Sequence, residues 1–415
     1  MRTVLRVLAA AAIAAAAGDA SATNGMRMIG FGPVQDAMGG ANAAAGLDAA
    51  SVLTNPATLS NLSGRIDFGA SYFKPSVEYK ATQPGGLPPG MVVGTSGFVT
   101  SDRGGSPIPA FGLVVPITDS LRFGLGAYGV GGMGVDFQQN LYGGTTFSSY
   151  SQMRITPGVS YRVNELLAIG ATANLAFATM EYPAASGFGQ ASHDSSSSFG
   201  GGATFGVLVT PAEWIRIGAA YETTSWFRSF EFNVPAQPAL GLPAGHDRIS
   251  FNQPQSATLG FAVTPVRPLL VAVDVQWIRW SETNGTNQPT FTASDGALPW
   301  NLNWEDQIVY KVGAQYTLPR KVMLRAGYNY GKKPLDSSRA FENIAFPAIA
   351  EHHLTAGIGH EITHRASINA AFGWSPPATL RGSNPNMPQN GGQAIQSYEA
   401  RMSQVSFDMG FAYLF

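Results

Sequence analysis

The sequence is poor in three things that a soluble enzyme usually carries. It has no cysteine in 415 residues, which excludes a disulfide framework and thiolate chemistry and is compatible with export into an oxidising compartment. Charge is scarce: Asp, Glu, Lys and Arg make up 12% of the chain, about half the roughly 25% of a soluble domain. The two signs nearly cancel, 25 basic against 26 acidic residues, and no basic block offers the footprint that nucleic acid needs. Long apolar runs are missing too. After residue 22 no stretch reaches the ~18 uninterrupted apolar residues of a membrane helix. Glycine, by contrast, is abundant at 49 residues.

The N-terminus has the form of an export signal. Arg2 and Arg6 precede an apolar run from Val7 to Ala17 that is too short to span a bilayer, and Ala20-Ser21-Ala22 has the small-x-small form of a cleavage site. Residues 1–22 therefore read as a signal peptide. Beyond it the apolar pattern takes a period of two. Val405, Phe407, Met409, Phe411, Tyr413 and Phe415 alternate with Gln404, Ser406, Asp408, Gly410, Ala412 and Leu414. The same alternation runs through 269–277, 308–316 and 322–328. Large residues on one face against small or polar ones on the other suit a membrane barrel, whose strands meet lipid outside and a lumen inside. A soluble sandwich would not need strands this long over nearly the whole chain with so few charges.

The connections fall into two classes. Short ones at 118–120, 163–165, 211–212, 265–268, 319–320 and 363–364 alternate with long polar ones near 81–107, 136–148, 183–198, 233–251, 284–299, 332–350 and 376–398. Tight turns on one rim and long loops on the other imply an all-β, antiparallel transmembrane barrel of about fourteen strands in a bacterial outer membrane. Such a barrel over residues 65–415 is wide enough to need a plug or to conduct. Residues 23–64, rich in Ala and Gly and without strand alternation, supply a compact N-terminal hatch. Trp277, Trp280, Trp300, Trp304 and Trp374, near strand ends, read as interfacial girdle residues.

Several enzyme-like motifs fail on context. His360-Glu361-Ile362-Thr363-His364 matches H-E-x-x-H, but it lies on a strand running into a turn. There, positions four apart are separated by roughly 13 Å, too far to share a zinc. The G-x-G-x-x-G run from Gly129 to Gly134 lacks the helix and βαβ unit of a phosphate cradle. The pair His352-His353 beside Glu351 reads as a solvated rim. No catalytic residue, metal or cofactor is expected.

The chain resembles the FadL/TodX (OmpP1) family of outer-membrane transporters for hydrophobic compounds. The residues that carry the likeness are Gly39-Gly40-Ala41, Asp48-Ala49 and Asn55-Pro56-Ala57-Thr58-Leu59, similar to that family's hatch, together with 310–316, 324–328 and the aromatic C-terminus. The resemblance implies a fourteen-stranded barrel, ligand capture between the third and fourth outer loops, and lateral release beside a kinked third strand. The third expected strand, Leu121 towards Val135, carries Gly124, Gly126, Gly129, Gly131, Gly132 and Gly134, which either permit a bulge and wall opening or merely face the hatch. Phe188 in the third loop and Leu240 and Leu242 in the unusually apolar fourth loop are candidate ligand contacts.

Family members that take fatty acids are expected to carry a basic residue near the top of the fifth strand, where this chain reads Met180-Glu181-Tyr182. Lys311 and Arg325, of lumen-facing parity, could meet a carboxylate instead, or could simply pair with Asp274, Glu222 or Asp408. Asn55 and Pro56 should form a tight, non-helical turn that holds the hatch. Phe411, Tyr413 and Phe415 look like the signal read by the barrel-assembly machinery. The expected function is passive uptake of hydrophobic molecules from the outer-membrane surface into membrane lipid. Long-chain fatty acids are the default ligand; aromatic or aliphatic hydrocarbons, or polar solutes through an open porin, are the alternatives.

Overall fold

Alternation of large and small side chains dictates the wall. The computed structural model describes residues 24–82, 95, 97–137, 146–183, 193–234, 244–285, 291–292, 302–340, 343–384 and 395–415. Fourteen strands form the barrel. The first seven are β1 (Arg65–Thr82), β2 (Ser106–Pro116), β3 (Leu121–Phe137), β4 (Thr146–Arg162), β5 (Leu167–Pro183), β6 (His193–Ala212) and β7 (Ile215–Glu222). The second seven are β8 (Ser256–Val266), β9 (Leu269–Ile278), β10 (Gln307–Leu318), β11 (Val322–Gly331), β12 (His352–Glu361), β13 (Ala366–Asn384) and β14 (Ile395–Leu414). Each pairs antiparallel with its neighbour in sequence, and β14 returns to β1 from Arg65↔Leu414 to Thr82↔Ser397, closing the cylinder.

The faces fall as the sequence period demands. On β9, Val273 and Val275 are exposed on the outer wall while Ala272 and Asp274 are buried inside. On β14, Phe407, Met409, Phe411, Tyr413 and Phe415 face out, and Gln404, Asp408 and Ala412 face in. Five of the six short connections include residues between consecutive strands; at the other, Pro211 and Ala212 still belong to β6 and the turn is 213–214. The long connections shift where strands end early or run on. The wall stops at Glu222 and at Ile278, so the loops after β7 and β9 begin earlier than the polar runs at 233 and 284 suggest. These two loops build a separate three-stranded sheet, Phe230–Val234, Gly245–Ile249 and Phe291–Thr292. Conversely, β13 passes through Pro376 and Pro377 to Asn384. The register shift between Ser375 and Ala378 absorbs the two prolines, which cannot donate to a regular ladder.

Residues 24–64 fold inside the lower barrel. They form two short helices, α1 (Pro33–Ala37) and α2 (Ser51–Thr54), and a 3₁₀ helix, Pro56–Asn61, and nearly all of them are buried. Small side chains let the backbone press against the wall. Gly39 and Gly40 have φ of 63° and 79°, which glycine adopts freely. A Cβ on Gly40 would overlap the Ile29 carbonyl, and one on Gly39 would meet the Tyr328 backbone. At residue 55 the expected turn is modified: Asn55 is extended, with φ −144° and ψ 99°, but Pro56 opens the 3₁₀ helix as its first residue, where a missing N–H is harmless.

Candidate functional site

Above the hatch the lumen is apolar. Side chains from the wall and from the small outer sheet form one large buried cluster. The Tyr150 ring meets Phe251 at 4.9 Å and Phe230 at 6.2 Å, and Phe251 meets Phe346 at 5.4 Å. On another side Tyr79 packs edge-on against Phe137 at 4.6 Å and stacks with Tyr398 at 6.0 Å. Phe230, Phe232 and Ile249 reach this cluster from the outer sheet, whose alternate residues Glu231 and Arg248 pair in solvent. Trp280 and Trp304, expected on the girdle, belong to this interior instead: both are buried and pack edge-on at 4.9 Å. The wall strands do not include them: Trp280 opens a short helix, Trp280–Asn284, and Trp304 lies ahead of β10, each indole N–H finding an amide oxygen, from Gln307 and Asn343. Trp277 and Trp374 do face outward, and Trp300 lies outside the described residues.

The floor of this chamber is the segment 24–28. Pairing between β2 and β3 runs from Pro116↔Arg122 only as far as Ala110↔Tyr128. Beyond it the β3 edge is met by the hatch: the Met28 amide donates to Val130 O (3.2 Å), and the Gly132 amide donates to Met26 O (3.1 Å). On its other edge β3 bulges against β4 between Gly129 and Gly131. The strand glycines lie in two settings. Gly124 and Gly126 give room to Val52, Leu53 and Leu59 of the hatch, while Gly131 and Gly132 lie where the wall parts and the N-terminal segment fills it.

Below Met26 buried charges gather. Arg27 and Arg154 both pair with Glu222, the latter at 2.6 Å, and all three are buried. Asp274 accepts from the amides of Asn42 (2.8 Å) and Ala43 (2.9 Å), tying the hatch to β9. A polar cavity of about 40 Å³ beside them is lined by Arg27, Glu222, Asp274 and Lys311, room for about three waters. Lys311 stands opposite Asp274 across the β9–β10 pair, and its Nζ donates to Ile29 O at 3.5 Å. Arg325 donates to Gln315 Oε1 (2.7 Å) and Asn369 Oδ1 (2.8 Å). Both candidate cations are therefore engaged with the hatch or the wall.

Asn55 holds three backbone groups: its Nδ2 donates to Ala43 O (2.6 Å) and Val207 O (3.0 Å), and its Oδ1 accepts from the Ala57 amide (3.1 Å). Ala57 is fully buried against Ala168 and Leu208. Phe188, Leu240 and Leu242 lie outside the described residues. Of the adjacent histidines, His352 is the rim residue expected, accepting or donating at 2.7 Å with the Tyr328 hydroxyl. His353 is not: its inward parity buries it beside Asp36, Gln404 and Asp408. Among the described residues no three His, Cys, Asp or Glu side chains gather to hold a metal, and Glu361 of the H-E-x-x-H run pairs with Lys321.

Sequence reasoning missed the Arg27–Glu222–Arg154 cluster and the aromatic chamber. The usable signal was parity: Tyr150, Gln152 and Arg154 alternate inward on β4.

The family sequence model for outer membrane transport proteins (OMPP1/FadL/TodX) matches residues 7–415. No curated protein matches. Among solved structures, a Pseudomonas aeruginosa FadL homologue superposes with a TM-score of 0.77 at 16% identity, covering 94% of this chain and 100% of that one. The P. putida toluene transporter TodX gives 0.72 at 18% identity, covering 93% and 99%. The Ralstonia pickettii toluene transporter TbuX gives 0.65 at 20%, again covering 93% and 99%. With the closed fourteen-stranded wall, these matches establish that the chain belongs to the FadL/TodX family of outer-membrane transporters of hydrophobic compounds.

Proposed function

We propose that the protein takes up uncharged hydrophobic compounds of the aromatic-hydrocarbon class passively, through the aromatic chamber and out sideways beside β3. One observation carries the choice over the fatty acid expected by default. The chamber cluster is aromatic and aliphatic, Lys311 and Arg325 are engaged on the hatch side, and Arg103 beside the cluster is bound to the Ser148 carbonyl. A carboxylate among these rings would be desolvated and would have to compete for a cation already engaged, whereas a hydrocarbon gains about 25 cal/mol for each Å² it buries. Met26, packed in the chamber and held by backbone bonds to β3, stands where an entering ligand must displace it. Its displacement frees the β3 edge and opens a path through the wall to lipid.

A second reading, fatty-acid uptake, has one observation in its favour: Arg27 and Arg154 outnumber Glu222 directly below the chamber. Uptake of toluene and of oleate by cells expressing the protein separates the two. Toluene uptake without oleate uptake is the expected result; the reverse overturns the reading. The exit can be tested separately because the chain has no native cysteine. A Cβ on Gly129 would stand 3.7 Å from the Ile108 Cβ across the gap, within the range for a disulfide. In the Ile108→Cys, Gly129→Cys protein, oxidation should leave toluene binding intact but stop its uptake, and reduction should restore it. Unchanged uptake in the oxidised form places the exit elsewhere.

Phe411, Tyr413 and Phe415 serve assembly in this reading. They face outward, so deleting Phe415 removes little packing. It should lower the fraction of inserted barrels while leaving uptake per inserted barrel unchanged.

A further inference from the structure

Between the aromatic chamber and the charged cluster lies a layer of uncharged hydrogen-bonding groups that a pure hydrocarbon would not use. Down the inward face of β4 the side chains run Tyr150, Gln152, Arg154, all buried. The Tyr150 hydroxyl donates to Gln152 Oε1 at 3.2 Å. From the opposite side, Gln253 Nε2 donates to the Tyr150 hydroxyl at 3.3 Å and to Met26 Sδ at 2.8 Å. Gln253 is fixed for this, because its backbone exchanges both hydrogen bonds with Ser225.

Two features of this layer point to a missing oxygen. Gln152 is 2% exposed, yet its Nε2 has no hydrogen-bond partner. A buried amide donor left unpaired is disfavoured strongly enough that such groups normally mark a bound water or ligand. The donor of Gln253, for its part, is spent on a thioether, a weak acceptor. Met26 is also the residue that a ligand must displace, so its sulfur stands where an acceptor on the ligand would sit. No charged group belongs to the layer itself: Arg154 below it is already paired with Glu222.

We infer that the favoured substrates are amphiphilic rather than plain hydrocarbons: an aromatic body carrying one uncharged oxygen, as in an alcohol, phenol or ketone. The body occupies the chamber, and the oxygen replaces Met26 Sδ as acceptor for Gln253 Nε2 and Gln152 Nε2. This rests on the proposed uptake of uncharged hydrophobic compounds and narrows it.

The test compares three compounds with one carbon skeleton, ethylbenzene, 2-phenylethanol and phenylacetate. Binding is read from the fluorescence of the purified full-length protein in detergent, and each affinity is corrected for that compound's partitioning into the micelle. The alcohol should exceed its partition expectation by about tenfold, the scale of one net hydrogen bond, and ethylbenzene should match its own. Gln152→Leu and Gln253→Leu should each remove the alcohol's excess over ethylbenzene. If both compounds follow partitioning alone, or if the variants weaken both equally, the inference is overturned while uptake of uncharged compounds stands. Binding of phenylacetate alone overturns that broader reading as well. Should either variant fail to fold, the wild-type comparison of the three compounds still decides.

Discussion

The two halves of the lumen are filled by opposite means. Below Met26 the space is taken by small residues whose backbone touches the wall, and order comes from directed bonds: Asn55 to Val207, Asp274 to the Asn42 and Ala43 amides, Arg27 to Glu222. Above it the space is taken by large aromatic rings, and order comes from area and shape. Hydrophobic packing is non-directional and tolerates exchange of one apolar occupant for another. A buried polar network does not, because each broken link strands a partner. The lower half is thus suited to being present or absent as a unit, and the upper half to accepting a guest.

The largest effect should come from breaking the link between the halves. Glu222 holds both arginines, so Glu222→Gln takes from two buried guanidinium groups the carboxylate they share. Removing one partner of a buried pair typically destabilises by about 3–5 kcal/mol. Here that strain should fall on residues 24–28, the least anchored member, rather than on the wall. Planar-bilayer recordings should show long open events in the variant where the wild type is closed. A closed trace would mean that the backbone bonds to β3 suffice. A smaller effect is expected for Asn55→Ala. It loses three hydrogen bonds, each worth about 1 kcal/mol net, deep in the hatch. The barrel should still insert, with faster hydrogen exchange across residues 43–57 and altered uptake. Wild-type exchange there would reduce Asn55 to a marker of the fold.

The same contrast explains what could be read from the sequence. Strand parity is a local property, so the outward row on β14, five of the six short turns and the strand count were legible, as was the small-residue hatch. Where a strand ends is set by tertiary competition. The polar runs at 233 and 284 gave no hint that the wall stops at Glu222 and Ile278, and that misplaced Trp280 and Trp304. His353 was lost for a different reason: adjacent to the exposed His352, it differs from it only in parity. Pairings such as Arg27 with Glu222, 195 residues apart, have no sequence signature at all.

The subtlest consequence concerns pH and again separates the halves, since the cluster above is held by apolar rings while the hatch below carries buried carboxyls. Asp48, on the hatch, has its pKa raised to about 7, first by burial and then by the neighbouring Asp67, against the lowering influence of Arg65, Gln35 and Arg325. Asp36 in α1 is raised as well, by burial and by Asp408. A carboxyl that holds its proton more tightly in the docked hatch than in a solvated one stabilises docking at acid pH. That contribution falls as pH climbs from about 4, the free carboxyl value, through about 7. The hatch should therefore exchange hydrogen faster at pH 8 than at pH 5 once the intrinsic rate is corrected, while the chamber strands stay unchanged. Asp48→Asn, which cannot ionise, should flatten part of that dependence and keep the acid-pH behaviour throughout. An unchanged pH profile in Asp48→Asn would assign the effect to Asp36 and Asp408 instead, and equal acceleration in both halves would show that the lumen loosens as one body.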